Sequence, residues 1–228
     1  MLRLSQIGIL LVCFQLGGVF SGSVFFKKGS PHVILGNKGV LSGKVLFSRD
    51  GRPFSAFNGI PYASIPGRFE EAELITEVNW EGVKSSVKPG PLCTQSPFMS
   101  GAGAAIQITT FGEEDCLNLN VYVPMNNTGK KEGYPVMVWV HGGGFMFGGG
   151  YGYGPRFFMD EDIILVTINY RLGVFGFLST EDSVIPGNNG LKDIVLSLQW
   201  IQQNIRGFGG NPNKVTVFGE SAGKTNSL

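Results

Sequence analysis

The sequence predicts an α/β fold with a mostly parallel central sheet. Three continuous apolar runs support this prediction, and they occupy residues 136–140, 163–168 and 215–218. Runs rich in Val and Ile are typical of parallel strands that are covered on both faces. Between the last two runs, apolar residues recur at helical spacing from Leu191 to Ile205. A strand, a helix and a further strand in this order favour a right-handed crossover and a doubly covered sheet.

The composition is that of a globular chain with one substantial core. Of its 228 residues, 43% are hydrophobic and 15% are charged, and no linker-like stretch divides residues 24–228. We therefore expect one domain over this range. A net charge of +1 without a basic cluster argues against a nucleic-acid partner. The sequence indicates no cofactor and no metal site.

Residues 1–23 have the order of regions found in a secretory signal peptide. Arg3 is followed by an apolar run at residues 7–20 and by small residues at 21–23. A transmembrane span is the alternative, but the run is short for one and contains two adjacent glycines. We expect a secreted protein without a stable membrane anchor.

Shorter runs supply the remaining elements. Residues 43–47 and 53–58 are strand-like and separated by turn residues, which suggests an antiparallel start to the fold. Residues 117–123 alternate apolar and polar side chains, as a half-buried strand does. Asn188 and its neighbours offer caps for the helix, and the glycine-rich residues 207–212 end it.

Cys93 and Cys116 remain once Cys13 has left with the leader. In an oxidising compartment such a pair most simply forms one disulfide, whereas in the cytosol both would be free thiols. Asn126 begins an N-glycosylation sequon, N-N-T, which gives weak support for secretion.

Residues 219–223 form the pattern G-x-S-x-G, with sequence G-E-S-A-G, directly after the last apolar run. In this context the pattern predicts a nucleophile elbow, a sharp turn from strand to helix that presents the hydroxyl of Ser221 above the sheet. The flanking glycines relieve crowding around a strained backbone. Ser221 is therefore the candidate nucleophile.

Residues 141–145, H-G-G-G-F, follow the first apolar run. Consecutive glycines allow backbone N–H groups to converge on one point, as an oxyanion hole requires, although a plain flexible loop is the alternative. The elbow downstream favours the oxyanion hole. Of the two histidines, His141 is expected to hold this loop by hydrogen bonding and His32 has no assigned role, so neither is expected to act as the base.

Residues 219–225 also resemble a phosphate-binding P-loop. That loop needs four residues between its glycines so that successive N–H groups can encircle a phosphate. Here three residues separate Gly219 from Gly223, and we expect no helix to follow. Nucleotide binding is therefore disfavoured.

Two long segments share one family pattern, residues 114–124, E-D-C-L-N-L-N-V-Y-V-P, and residues 208–223, which end in the elbow. Shorter segments of the same pattern are found at 58–63, 141–145, 169–173 and 187–193. Together these segments resemble the type-B carboxylesterase family, and among its members the secreted arthropod esterases.

The resemblance implies the N-terminal part of an α/β-hydrolase fold and a carboxylic ester hydrolase that works through a serine acyl-enzyme on small-molecule esters. It places the nucleophile on Ser221, the oxyanion donors on Gly143, Gly144 and Ala222, and a disulfide between Cys93 and Cys116. Cholinesterases of this family carry a tryptophan inside that disulfide loop to hold a quaternary ammonium. Residues 94–115 contain none, which argues against acetylcholine as the substrate.

Two departures from the family pattern affect the expected function. The turn at residues 64–67 is short, and the family's acidic residue and catalytic histidine would lie beyond position 228. We therefore expect a domain that is incomplete at its C-terminal side and a chain that is inactive alone. A non-catalytic esterase-like protein for binding or adhesion is the alternative, although such relatives usually lose the serine that this chain retains.

Overall fold

The computed structural model describes residues 24–36, 39–78, 80–96, 110–125 and 131–225. The predicted signal peptide and Asn126 lie outside these residues. Within them the strands are β1 (Phe25–Lys27), β2 (Ser30–Leu35), β3 (Gly39–Ser42), β4 (Lys44–Phe47), β5 (Pro53–Pro61), β6 (Ala63–Ser64), β7 (Glu73–Leu74), β8 (Val83–Ser85), β9 (Asn118–Pro124), β10 (Tyr134–Val140), β11 (Ile164–Ile168) and β12 (Gly210–Gly219). The α-helices are α1 (Gly173–Phe177), α2 (Asn189–Asn204) and α3 (Ala222–Thr225).

The central sheet has the strand order β12-β10-β11-β9-β5-β4. β10 pairs in parallel with both β11 and β12. β9 runs antiparallel to β11 and to β5, and β4 runs antiparallel to β5. The sheet is therefore mixed, and the prediction of a mostly parallel sheet holds only for the half that contains β10, β11 and β12.

Burial does not report strand direction. β9 is antiparallel to both of its neighbours and is buried at every position, so the prediction of a half-buried strand at residues 117–123 is wrong. β4 and β5 are joined by a connection too short for a crossover, and only antiparallel neighbours can be joined in this way. A smaller sheet has the order β1-β2-β3-β8, and β6 pairs with β7.

Both faces of the central sheet carry apolar side chains, because alternate residues of each strand point to opposite sides. On β10, Val136, Val138 and Val140 join the larger core cluster, which also contains residues of α2. Met137 and Trp139 pack against the smaller cluster on the other face. The expectation that these strands are covered on both sides is confirmed for β10 and β11.

α2 confirms the predicted helix, although one of the apolar residues at helical spacing is not buried. Ile194, Trp200 and Ile201 are buried, whereas Val195 is 53% exposed. Asn188 precedes the helix in a left-handed conformation, and its side chain makes no cap hydrogen bond. A four-residue helix, α3, follows the elbow, which corrects the expectation that no helix would follow.

Cys93 and Cys116 form the expected disulfide, and both are buried. Two isolated bridges, Cys93 with Glu113 and Gln95 with Phe111, close the base of the disulfide loop. Among the described residues, no helix combines the length and the apolar character needed to cross a membrane.

Candidate active site

Ser221 lies in a tight turn between β12 and α3, with only Glu220 between it and the end of the strand. Its φ is +53°, in the left-handed region that residues with a side chain rarely adopt. Its side chain is exposed. A strained, exposed serine in a strand-to-helix turn is the geometry that a nucleophile elbow requires.

The two glycines of the elbow are needed because backbone atoms surround them. A Cβ at Gly219 would lie 2.6 Å from the carbonyl carbon of Gly223. A Cβ at Gly223 would lie 2.1 Å from the carbonyl oxygen of Val140. Neither contact can be relieved by a side-chain rotation, so the pattern G-x-S-x-G is a steric requirement of this turn.

The glycine-rich loop at residues 141–148 reaches the same edge of the sheet. β10 and β12 are parallel, and Val140 is in register with Gly219, so both loops leave the sheet side by side. A Cβ at Gly142 would lie 3.1 Å from the Cβ of Ser221. The structure thus brings together the two segments that the sequence predicted to share a site.

The glycine-rich loop is closed by its own backbone. The carbonyl oxygen of Gly143 accepts hydrogen bonds from the N–H groups of Met146 and Phe147. Gly143 and Gly144 both have positive φ, at 105° and 59°. A Cβ at Gly144 would meet no atom within 4 Å, so this residue borders open space.

His141 is buried beneath the loop. Its Nδ1 donates a hydrogen bond to the carbonyl oxygen of Gly142 over 2.8 Å, and its ring stacks on Tyr170 with centroids 4.4 Å apart. Burial lowers the pKa of His141 to about 4, so the ring is neutral near pH 7. The expectation that His141 holds the loop is met. His32 lies on β2 in the smaller sheet, where its Nδ1 contacts the carbonyl oxygen of Ser30.

The segment after β11 supports the loop from behind. The hydroxyl of Tyr170 donates a hydrogen bond to the carbonyl oxygen of His141 over 2.9 Å. The N–H of Gly173 donates a hydrogen bond to the carbonyl oxygen of Phe145 over 2.7 Å. Between them, Arg171 forms a two-pronged ion pair with Asp193 of α2, at 2.8 and 2.9 Å. Both charged side chains are almost fully buried.

Tyr153 and Gln95 are among the side chains that contact this loop and that sequence reasoning missed. The Tyr153 hydroxyl lies beside the backbone of Gly142, and burial together with the carboxylate of Glu220 raises its pKa. Its ring packs on Trp139 at 4.9 Å. Gln95 bonds to Gly148 at the end of the loop. No local motif marks either residue, because each acts across a large separation in sequence.

Comparisons with known proteins agree with this geometry. The model of the carboxylesterase family matches residues 30–226. The chain is 45% identical to esterase FE4 of Myzus persicae over 222 residues, covering 95% of this chain and 37% of the relative. It is also 45% identical to venom carboxylesterase-6 of Apis mellifera over 186 residues, covering 81% of this chain and 33% of the relative.

A solved structure shows the same fold. The juvenile hormone esterase of Manduca sexta superimposes with a TM-score of 0.73 at 35% identity, covering 85% of this chain and 36% of that one. The chain therefore spans about a third of the length of the relatives it matches. On the family match and these relatives, the chain belongs to the carboxylesterase family and has part of an α/β-hydrolase fold.

Proposed function

We propose that this chain forms the nucleophile and oxyanion-hole part of a carboxylic ester hydrolase that works through a serine acyl-enzyme. The observation that carries the proposal is the placement of Ser221, which is exposed, held at a φ of +53° and packed against Gly142. A strained serine beside a glycine-rich loop is what acyl transfer needs at its first step.

In this mechanism the hydroxyl oxygen of Ser221 attacks the carbonyl carbon of the ester. The negative charge that develops on the carbonyl oxygen is stabilised by the N–H groups of Gly143, Gly144 and Ala222. Such donors each contribute about 3 kcal/mol to transition-state stabilisation when they are fixed before the reaction begins. The alcohol then leaves, and water releases the acid from the acyl-enzyme.

The base that activates Ser221 is proposed to come from outside these 228 residues, together with the acidic residue that orients it. His141 is unsuited to the role, because its ring is buried against Tyr170 and burial lowers its pKa to about 4, which makes it a weak base. This chain covers only 37% and 33% of the relatives, which leaves ample sequence in them for both partners. We accordingly propose that the 228-residue chain alone does not hydrolyse esters.

We also propose that the protein is secreted and acts on small carboxylic esters other than acetylcholine. The Cys93–Cys116 disulfide supports an oxidising compartment. A similar protein is named as a venom esterase, which is consistent with export. The absence of tryptophan from residues 94–115 is the ground for setting acetylcholine aside.

The test is hydrolysis of a short p-nitrophenyl ester by four preparations. The 228-residue chain and its Ser221→Ala variant are assayed alone, and each is then co-expressed with the remaining two thirds of a related esterase. We expect hydrolysis that depends on Ser221 only in the co-expressed pair. Hydrolysis that depends on Ser221 in the chain alone would show that a base lies within it.

A purified complex that shows no difference between the serine and alanine forms would overturn the enzymatic proposal. In that case the alternative of a non-catalytic protein for binding or adhesion would be favoured. Covalent labelling by a fluorophosphonate provides an independent measurement, because it requires an activated serine but no ester substrate.

A further inference from the structure

The glycine-rich loop ends at Gly148, which packs against the beginning of the same loop. A Cβ at Gly148 would lie 2.5 Å from Nδ1 of His141 and 2.9 Å from the carbonyl oxygen of Gly142. The two ends of the loop are therefore in contact. Any group that fixes the position of Gly148 also restricts the backbone of the residues between, which include Gly143 and Gly144.

Gln95 fixes Gly148 with both atoms of its side-chain amide. The N–H of Gly148 donates to Oε1 of Gln95, and Nε2 of Gln95 donates to the carbonyl oxygen of Gly148, each over 2.9 Å. Nε2 also donates to the carbonyl oxygen of Cys93 over 2.9 Å. One orientation of the amide satisfies all three bonds, whereas the flipped orientation would oppose like groups at every contact. The side chain is 7% exposed.

Gln95 is itself held firmly on the other side. Its backbone N–H and carbonyl oxygen both bond to Phe111, over 2.9 and 3.0 Å. Two residues earlier, Cys93 is joined by the disulfide to Cys116. The amide of Gln95 thus connects the closed base of the disulfide loop to the end of the glycine-rich loop, 53 residues away in sequence.

The side chain of Asn169 also connects the two segments, at Gly150, two residues after Gly148. Oδ1 of Asn169 accepts the N–H of Gly150 over 2.9 Å, and its Nδ2 donates to the carbonyl oxygen of Pro91 over 2.9 Å. Between these bonds, a Cβ at Gly149 would lie 2.2 Å from a methyl group of Leu92. The segment from Pro91 to Gln95 therefore lies along residues 148–150 with no space between them.

We propose that Gln95 is a positioning residue for the oxyanion hole, and that the disulfide base serves as its anchor. This inference rests on the proposed function. Gln95 does not contact the substrate. It keeps Gly148 against His141 and Gly142, and the N–H groups of Gly143 and Gly144 thereby remain directed at one point. Donors fixed before the reaction stabilise an oxyanion far better than donors that must be reoriented.

The first test is hydrogen exchange on the 228-residue chain. Gln95→Met keeps the size of the side chain and removes all of its hydrogen bonds. The matched control is Gln202→Met, because Gln202 also makes one side-chain bond to a backbone carbonyl, that of Pro212. We expect exchange across residues 142–147 to accelerate about tenfold in Gln95→Met, because the two hydrogen bonds that hold Gly148 are lost. Exchange should be unchanged in the control.

The second test uses the co-expressed complex and a trifluoromethyl ketone, whose adduct with Ser221 carries an oxyanion. We expect Gln95→Met to lower kcat about tenfold or more with little change in KM, as for a small misplacement of catalytic groups. The inhibition constant of the ketone should rise by a similar factor. A loss of folded protein alone would lower the amount of active enzyme and leave the inhibition constant unchanged.

Faster exchange confined to residues 148–150, with the inhibition constant unaltered, would overturn the assignment of Gln95. The two proposals can fail separately. If no variant shows activity that depends on Ser221, the proposed function fails, and the exchange measurement still decides whether Gln95 holds the loop.

Discussion

The two glycine-rich segments that meet at Ser221 are held in place in different ways. The elbow at residues 219–223 is fixed by backbone contacts within its own turn and with the neighbouring strand β10. The loop at residues 141–148 has hydrogen bonds within its own backbone, but it is also held by side chains from elsewhere in the chain, including Gln95, Tyr170 and Phe177. One half of the candidate site is therefore determined locally, and the other half depends on the surrounding fold.

This difference determines which substitutions should affect each half. The elbow should be sensitive to any added atom, because its neighbours are backbone groups that cannot rotate away. The loop should be sensitive to distant changes that remove a hydrogen bond or a charge.

The largest expected effect is that of Asp193→Ala. This change would leave the buried guanidinium of Arg171 without its carboxylate, and removing one partner of a buried ion pair costs about 3–5 kcal/mol of unfolding free energy. The control is Lys192→Ala, in the adjacent position, whose ion pair with Glu71 is exposed to solvent. Its loss should cost less than about 1 kcal/mol. Equal losses in urea denaturation would show that the buried pair does not support the segment behind the loop.

The next effect concerns pH and His141. Burial lowers the pKa of this ring from 6.5 to about 4. Between these values the unfolded chain binds a proton that the folded chain does not, so stability falls as the pH is lowered through this window. The loss should reach about 3 kcal/mol near pH 4 and be absent above pH 7.

The measurement is the free energy of unfolding from pH 7.5 to 4.5 for the natural chain and for His141→Asn. The amide of asparagine can still donate to the carbonyl oxygen of Gly142 but does not titrate. The difference between the two curves isolates His141 from the carboxylates that titrate nearby. Parallel curves would contradict the buried, neutral state of the ring.

The same contrast explains which parts of the candidate site could be predicted from the sequence. The elbow could be predicted because all of its requirements lie in five consecutive residues. The disulfide could also be predicted, because only two cysteines lie outside the predicted signal peptide. The mixed sheet could be predicted only in part. The antiparallel start at residues 43–47 and 53–58 is confirmed by the pairing of β4 with β5, whereas nothing in the sequence of β9 indicated that it lies antiparallel to β11.

The side chains that hold the glycine-rich loop could not be predicted, for a different reason. Gln95 and Gly148 are 53 residues apart, and nothing in either local sequence indicates the other. Tyr153 lies in a run of glycines and tyrosines that suggests only a turn. Val195 fitted the helical stripe by spacing and is nevertheless exposed, because the side of α2 on which it lies faces solvent. Spacing predicts which residues share a face, and the neighbouring elements decide how far that face is covered.

A smaller loss of unfolding free energy than for Asp193→Ala is expected for Gly223→Ala in the elbow. The added methyl group would lie 2.1 Å from the carbonyl oxygen of Val140, so the turn must move away from β10. Such overpacking costs about 1–3 kcal/mol. Gly152→Ala is the matched control, because a Cβ at that position would meet no atom within 4 Å. If both variants unfold at the same urea concentration, backbone packing does not fix the elbow.

The smallest loss of unfolding free energy should come from Gly144→Ala. Comparison with Gly143→Ala separates the cost of backbone strain from the cost of a steric clash within the glycine-rich loop. Gly144 has a φ of +59°, and a Cβ there would meet no atom within 4 Å, so alanine would lose only about 1 kcal/mol through its unfavourable backbone conformation. The adjacent Gly143→Ala adds a clash, since its Cβ would lie 2.0 Å from the carbonyl oxygen of Phe147. Urea denaturation of both variants should therefore show the greater loss for Gly143→Ala. Equal losses would mean that the space beside Gly144 is filled in solution. An open Gly144 is what the proposed mechanism requires, because the carbonyl oxygen of an ester would have to approach the loop there.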